Sequence, residues 1–308
     1  MHEHIARAMY YFSVHLLYAS IVGAAAWLLT SVRVASATTK YWIWVITAFN
    51  FFVPVGAIID KLWAPHLAWA TPLGAIGAPV WDITQGRTAI VLAMIWISGT
   101  LSMLVRLILR LRRDRCELQI PADHHDLTST FITDGIPVSF DSRHPVPAVG
   151  GVLYPRILLP TGIDRLLSQQ ELHAVLLHEM AHARRRDNLI HLLYELSLCA
   201  LWFHPLIWLA GMRMALYREL SCDESVIQRA HGQALIRALA KLAAPEKTMF
   251  LRATASSHLS HRLTRLTGSA QVSHRVASLL VTSLFIPVIV GGVLGTVAHT
   301  ACCFVVKH

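Results

Sequence analysis

Long apolar stretches constrain this chain more than any other feature, because they decide which solvent surrounds the folded protein. Four uncharged stretches are long enough to cross a bilayer as helices: Met9–Val32, Tyr41–Ile59, Thr88–Val105 and Val276–Val297. Of 308 residues, 55% are hydrophobic and 15% are charged, and the mean hydropathy is +0.50. A soluble domain is far less apolar. The sequence therefore predicts a polytopic α-helical membrane protein.

The basic residues predict the orientation of these spans, because positively charged loops stay in the cytoplasm. The basic residues at the span ends that we assign to the cytoplasm are Arg33, Lys40, Arg106, Arg110, Arg112, Arg113, Arg115, Arg262, Arg265 and Arg275. Loop 60–87 has balanced charges, as expected outside. We thus predict an N-terminal membrane domain (1–106), a cytoplasmic domain (107–275) and a final span with a tail (276–308), with both termini outside.

The net charge of +9 is explained by this topology, so membrane lipid is expected as a partner and nucleic acid is not. The run Arg184–Arg186 is interpreted as contact with anionic headgroups. Within the cytoplasmic domain, short strands are predicted at Ile136–Phe140, Ala148–Leu153 and Arg156–Leu159. Because strands and helices are both predicted within 107–275, we expect an α+β domain inserted between the membrane spans.

A helix predicted after these strands carries a metal-binding pattern. Ser168 and Glu171 form a capping box that should begin the helix. His178 and His182 are four residues apart, so both imidazoles lie on one helical face and can bind one Zn²⁺ ion. Glu179 is placed to take a proton from a water activated by that zinc. The alternative is a helix with two histidines satisfied by other partners, and a third ligand would decide between them.

A later segment offers that third ligand. Glu219 and Asp223 share a helical face, so one can bind zinc while the other orients a ligand imidazole. An acidic pair at this spacing is also typical of a solvated helix face. Cys222, between them, is interpreted as a small packed residue. The metzincin extension is absent, since Arg185 and Asn188 replace its glycine and third histidine.

Four motifs in order carry a family resemblance: Gly151–Pro160, Leu177–Asn188, Trp202–Pro205 and Glu219–Asp223. Over residues 136–230 the chain resembles the BlaR/MecR-type membrane metallopeptidases, which are bacterial zinc proteases of the gluzincin type. The resemblance implies a multi-pass protein of the bacterial inner membrane with a cytoplasmic protease domain.

The resemblance also implies roles for individual residues. It assigns zinc binding to His178, His182 and Glu219 and catalysis to Glu179, which leaves Asp223 in the second layer. It implies a zinc endopeptidase in signal transduction that cleaves a cytoplasmic protein, either a transcriptional repressor or itself. A homo-oligomer is compatible with it.

Two features concern the ends of the cytoplasmic domain. Relatives of this type continue into an extracellular penicillin-binding sensor, whereas only Ala298–His308 follows the last predicted span, so we expect no such sensor here. A signal would then arrive through loop 60–87 or a partner. Relatives cleave themselves between the zinc domain and the final span, and Ala253–Ser260 occupies that place as a candidate site.

The segment Leu196–Met212 is apolar and as long as a short span, but His204 and Pro205 interrupt it. A single crossing would put Glu219 on the opposite membrane face from His178, and one zinc ion cannot bridge that distance. We therefore predict a membrane-dipping hairpin near 192–212.

Several alternatives stay open. A housekeeping protease of the HtpX or CAAX-prenyl type shares the first motif, although its second motif usually lacks the cysteine. A non-catalytic transducer would keep zinc for structure, which normally requires four protein ligands. For the oxyanion, Tyr217, Arg218 and His231 are nearby candidates. An edge strand within 148–159 is expected to bind substrate by strand addition.

Overall fold

The computed structural model describes residues 2–31, 35–52, 86–118, 135–141 and 144–243. Its elements are α1 (His2–Ser31), α2 (Ala37–Phe52), α3 (Gly86–Leu118), β1 (Val138–Phe140), β2 (Ala148–Gly150), β3 (Arg156–Leu159), α4 (Ile163–Leu166), α5 (Gln169–Arg185), α6 (Asp187–Ala200), α7 (Pro205–Ile227) and α8 (Gly232–Ala243). The predicted span Val276–Val297 and the candidate cleavage stretch Ala253–Ser260 lie outside these residues.

Helix α3 has the properties of a membrane helix. Among the described residues it is the one helix that is long and apolar enough to cross a bilayer, over Thr88–Arg113, and only 6% of its most apolar part is buried by the rest of the protein. An apolar surface this exposed fits lipid as its surroundings. The described part of α1 contributes a shorter apolar stretch, His15–Ser31. The polytopic arrangement remains a prediction.

Helix α2 is packed inside the protein along one face. Tyr41, Trp44 and Phe51 are almost fully buried in a core that α2 shares with α1, α6 and α7. Trp44 donates its indole N–H to Thr30 Oγ1 over 3.1 Å, and Lys40 Nζ donates to the Thr30 carbonyl over 2.8 Å. The buried polar groups of α2 thus have partners, as burial requires.

A small sheet forms a second core with α5 and α8. Strand β3 is central, parallel to β1 and antiparallel to β2. The predicted strand Ala148–Leu153 ends earlier than expected, at Gly150. Gly151 has φ +82°, and a Cβ there would lie 2.3 Å from the Tyr154 carbonyl oxygen, so the chain turns at a glycine that no larger residue could replace without strain. Strand β2 is left at the sheet edge.

The predicted capping box begins α5, as the sequence indicated. The Ser168 amide donates to Glu171 Oε2 over 2.8 Å, and the Glu171 amide donates to Ser168 Oγ over 3.4 Å. Lys241 of α8 also donates to Glu171 Oε2, over 2.7 Å. These contacts fix the start of the helix that carries the histidine motif.

The chain reverses direction between α6 and α7. Pro205 is the first residue of α7, where a missing backbone N–H costs nothing. Tyr194 of α6 donates its hydroxyl to the Ile207 carbonyl over 3.2 Å, and a Cβ at Gly211 would lie 2.0 Å from that hydroxyl. The two helices are therefore closely packed and antiparallel, which returns Glu219 to α5. The dip of this hairpin into a membrane stays a prediction.

Candidate metal centre

Helices α5 and α7 bring three possible metal ligands together. His182 Nε2 lies 3.2 Å from His178 Nε2. Glu219 Oε2 lies 3.7 Å from His178 Nε2 and 3.8 Å from His182 Nε2. The three residues form a group whose ligand atoms all lie within 4.8 Å of one another. Residues about 40 positions apart thus face one point, which is the arrangement required of a shared ion.

The spacing of these atoms fits zinc. Tetrahedral Zn²⁺ with bonds of about 2.0–2.1 Å separates its ligand atoms by about 3.3 Å. The distance between the two Nε2 atoms is 3.2 Å, and Glu219 Oε2 is within half an ångström of the ideal separation from each. The donor set of two imidazoles and one carboxylate is a common one for zinc. The residues present therefore fit this ion.

Each histidine has a carboxylate behind it. His178 Nδ1 lies 3.1 Å from Asp223 Oδ1, and His182 Nδ1 lies 2.6 Å from Asp187 Oδ2. Both aspartates are buried, with 3% of their surface exposed. At His182 the hydrogen-bonded carboxylate holds the proton on Nδ1 and keeps Nε2 unprotonated as the ligand atom. At His178 the carboxylate of Asp223 lies at ion-pair distance from Nδ1. Asp223 is thus the carboxylate next to His178, and its role as an outer partner of a metal-bound imidazole stays a prediction.

Asp187 is a site residue that no pattern in the sequence indicated. It follows the helix that carries His182, after Arg186, whose φ of +56° ends α5 in a left-handed turn. The turn brings Asp187 back toward His182 although the two are five residues apart. Arg185 donates to both Asp187 oxygens, over 2.6 and 2.7 Å, and Tyr41 of α2 donates to Oδ1 over 3.1 Å. Burial raises the pKa of Asp187, but hydrogen bonds from Arg185 and His182 outweigh it and lower the net pKa.

The interpretation of the whole Arg184–Arg186 run as headgroup contact is wrong for Arg185. Its guanidinium is turned inward, with 13% of the side chain exposed. Beyond Asp187 it also donates to the Arg218 carbonyl and to Cys222 Sγ, each over 3.2 Å. The buried carboxylate of Asp187 requires a positively charged partner, and Arg185 provides it. This pairing stabilises Arg185 in the interior more than contact with lipid headgroups would. Arg184 and Arg186 are exposed.

Glu219 is held in its charged form. Burial raises the pKa of Glu219, but the neighbouring His178, His182 and Arg218 outweigh that effect and bring the net pKa well below its ordinary value. Arg218 Nε donates to Glu219 Oε1 over 3.2 Å, so Oε2 remains the oxygen that faces the histidines. A carboxylate that stays ionised is the form that binds a metal.

Glu179 lies on α5 next to His178 and is 8% exposed. Its neighbour on the helix faces Glu219, so Glu179 is carried to the same region of the protein by the same helix. Glu179 is not one of the three converging residues, and its role as general base stays a prediction.

A second set of ligand atoms overlaps the first. His182, Asp187 and Cys222 also lie within 4.8 Å of one another. His182 Nδ1 and Asp187 Oδ2 are 2.6 Å apart, which is a hydrogen bond and too short for two ligands of one zinc ion. Arg185 already supplies a positive charge to Asp187 and Cys222. The first set is therefore the better metal site, and Cys222 is fully buried, as a packed residue should be.

The three candidates for stabilising the oxyanion differ in the groups that they contact. The Tyr217 hydroxyl donates to the Thr30 carbonyl over 3.3 Å and is occupied by α1. The His231 ring packs edge-on against His173, with centroids 4.8 Å apart. Arg218 alone of the three contacts a proposed ligand, Glu219.

The edge strand β2 is tied to the metal centre. The side-chain Nδ2 of Asn188 donates to the Val149 carbonyl over 2.8 Å and to the Gly151 carbonyl over 2.9 Å. Asn188 follows Asp187 directly, so the strand edge lies beside the turn that supports His182. Substrate addition to this strand stays a prediction, and the carbonyls of Val149 in β2 and of Gly151 just after it already accept hydrogen bonds from Asn188.

Comparison with known proteins identifies the family. The sequence profile described as BlaR1 peptidase M56 matches residues 12–266, and the chain therefore belongs to this family of peptidases. This confirms the resemblance carried by the motifs. Among curated proteins, the regulatory protein BlaR1 of Bacillus licheniformis is 33% identical over 145 residues, which cover 44% of this chain and 24% of that protein.

Two further relatives are more distant. The methicillin resistance mecR1 proteins of Staphylococcus aureus and Staphylococcus epidermidis are each 28% identical over 98 residues, covering 32% of this chain and 17% of the relative. The match thus spans a quarter or less of the length of these curated relatives.

Proposed function

We propose that this protein is a membrane-embedded, zinc-dependent endopeptidase with His178, His182 and Glu219 as the zinc ligands. The observation that carries the proposal is the convergence of two imidazole nitrogens and one carboxylate oxygen at 3.2–3.8 Å from one another. The carboxylates near the Nδ1 atoms of both imidazoles support it, since the second ring nitrogen of a metal-binding histidine almost always has a polar partner. Membership in a peptidase family supplies the reaction class.

A zinc ion held there supplies Lewis-acid chemistry, acidifying a water molecule and polarising a carbonyl. The chain's own residues do the rest. Glu179 accepts the proton of the attacking water and delivers it to the leaving amine. Asp223 and Asp187 keep the two imidazoles in the orientation that exposes Nε2. Arg218, beside Glu219, is the candidate among the predicted groups for stabilising the oxyanion.

A group of three protein ligands among the described residues favours catalysis over a structural role for zinc. Structural zinc normally has four protein ligands, and within the described part of the chain the group at this point contains three. This speaks against the alternative of a non-catalytic transducer. The match to the BlaR1 peptidase family favours the proposal over a housekeeping protease of the HtpX or CAAX type.

We further propose that the substrate is a cytoplasmic protein, a transcriptional repressor or the chain itself, cleaved in signal transduction. The relatives' names, regulatory protein and methicillin resistance protein, support a regulatory role. The test is a comparison of protein fragments in cells that carry the wild type or Glu179→Ala. Fragments that depend on Glu179 identify the substrate, and identical fragment sets in both strains would count against the proposed activity.

Self-cleavage gives a second test on purified protein. Wild-type chain incubated with zinc is expected to yield slowly an N-terminal fragment that ends within Ala253–Ser260, because the sequence predicts a polar loop there and proteolysis concentrates in such loops. Mass spectrometry locates the new end. Glu179→Ala, purified in parallel, should yield none. The same fragment from both would assign the cut to contaminating proteases.

The topology can be tested on both sides of the α6–α7 hairpin. Single cysteines at Arg184 and Gln228, both exposed, are placed in a chain without Cys116, Cys302 and Cys303. Both positions are expected to be protected from an impermeant maleimide in intact cells and labelled after lysis, because one metal group joins α5 and α7. Labelling of one position only in intact cells would put the two helices on opposite membrane faces and exclude Glu219 as a ligand.

A further inference from the structure

A hydrogen-bond chain leads from helix α2 to the metal group. The Tyr41 hydroxyl donates to Asp187 Oδ1 over 3.1 Å, and Asp187 Oδ2 lies 2.6 Å from His182 Nδ1. His182 Nε2 is one of the three atoms that converge. Tyr41 is 1% exposed and Asp187 is 3% exposed. Two buried contacts therefore separate α2 from a proposed zinc ligand.

The ring of Tyr41 makes a second contact with the same group. The guanidinium carbon of Arg185 lies 4.3 Å from the ring centroid, and Arg185 pairs with both oxygens of Asp187. Tyr41 thus contacts the aspartate through its hydroxyl and the arginine through its face. Together the two side chains restrict the Asp187 carboxylate to one orientation, in which Oδ2 faces His182.

Helix α2 is anchored to α7 as well. Glu224 Oε2 accepts hydrogen bonds from the Ala37 amide over 3.1 Å and the Thr38 amide over 3.4 Å. A carboxylate at this place satisfies free N–H groups and complements the positive end of the helix dipole. Glu224 follows Asp223, the partner of His178. Both aspartates of the metal centre are therefore adjacent to points where α2 is attached.

We propose that Tyr41 is a positioning residue for His182 that acts through Asp187, so that zinc affinity depends on the docking of α2. This inference rests on the zinc site of the proposed function. Outer partners of metal-binding histidines change metal affinity because they fix the ring and raise its basicity. A movement of α2 that withdraws the hydroxyl would therefore weaken the hold on the metal without touching a ligand.

The experiment compares Tyr41→Phe with Tyr194→Phe in the full chain purified in detergent. Both variants remove one hydroxyl from a buried tyrosine, and Tyr194 donates to the Ile207 carbonyl of the α6–α7 hairpin instead of the metal centre. Competition for Zn²⁺ with a chromophoric chelator gives the affinities. Tyr41→Phe is expected to weaken zinc binding about 10-fold, the low end of the range for outer partners, while Tyr194→Phe leaves it unchanged.

A double-mutant cycle with Asp187→Asn tests the route. An amide facing His182 Nδ1 no longer serves as the anionic acceptor, so Tyr41→Phe should have no further effect on zinc affinity in that background. Full additivity of the two changes would overturn the proposed route. The melting temperature of each zinc-free variant is measured as well. General destabilisation would lower the melting temperature of a variant, whereas the proposed coupling changes its zinc affinity.

The outcomes separate this inference from the proposed function. If wild type binds zinc and Tyr41→Phe matches the Tyr194→Phe control, Tyr41 is a packing residue and the inference fails alone. If wild type binds no zinc, the proposed function fails first.

Discussion

Replacing Glu179 by alanine is expected to abolish proteolysis while zinc remains bound. Glu179 lies beside His178 but outside the group of three ligand atoms, so its removal takes away the base and leaves the metal site intact. Loss of a general base costs about 10²–10⁴-fold in rate. Cleavage of a peptide or of the chain itself measures the activity, and elemental analysis measures zinc in the same preparation.

The matched control for this change is Glu195→Gln. Glu195 is a carboxylate on α6 that pairs with Arg110 of α3, lies 3.4 Å from His191 and is not part of the metal group. It should retain both zinc and activity. Undiminished activity in Glu179→Ala would contradict the proposed mechanism, and loss of zinc in that variant would mean that Glu179 is a ligand.

Replacing Glu219 by alanine is expected to remove zinc itself. The change deletes the carboxylate that faces both histidines at 3.7 and 3.8 Å. Loss of a direct ligand should exceed the cost of losing an outer partner, so we expect zinc affinity to fall by more than about 100-fold and activity to fall with it. The measurement is zinc competition with a chelator, with Glu195→Gln as the control.

Excess zinc distinguishes the two variants. Glu219→Ala should recover part of its activity at high zinc concentration, because the base is still present, whereas Glu179→Ala should not respond. Zinc affinity equal to that of wild type in Glu219→Ala would remove this residue from the site. Asp223, on the same face of α7, would then be the acid to examine next.

The parts of the site that the sequence could predict follow from helical periodicity. His178 and His182, and Glu219 and Asp223, are pairs at a spacing that puts both members on one face of a helix whatever the surrounding fold. The capping box at Ser168 and Glu171 is equally local, and it marks the start of α5 as expected. Such contacts depend on neighbours in the chain, so they can be predicted from the chain.

Other contacts could not be predicted because they depend on turns and on distant segments. Asp187 reaches His182 only because Arg186 adopts φ +56° and reverses the chain between two helices. Tyr41 meets Asp187 from 146 positions away in the sequence. From the sequence, the positive charge of Arg185 was expected to contact lipid headgroups. In the structure it pairs with the buried Asp187 instead.

By itself, the sequence determined the apolar character of the chain, the helix that carries the histidine motif and the family to which the protein belongs. The tertiary structure decided that α6 and α7 pack antiparallel, and hence that Glu219 returns to within 3.8 Å of both histidines. It also brought α2, an apolar segment in the sequence, into contact with Asp187 through the Tyr41 hydroxyl. The reason is physical: periodicity specifies one face of one helix, whereas the convergence of ligands from separate helices depends on how those helices pack.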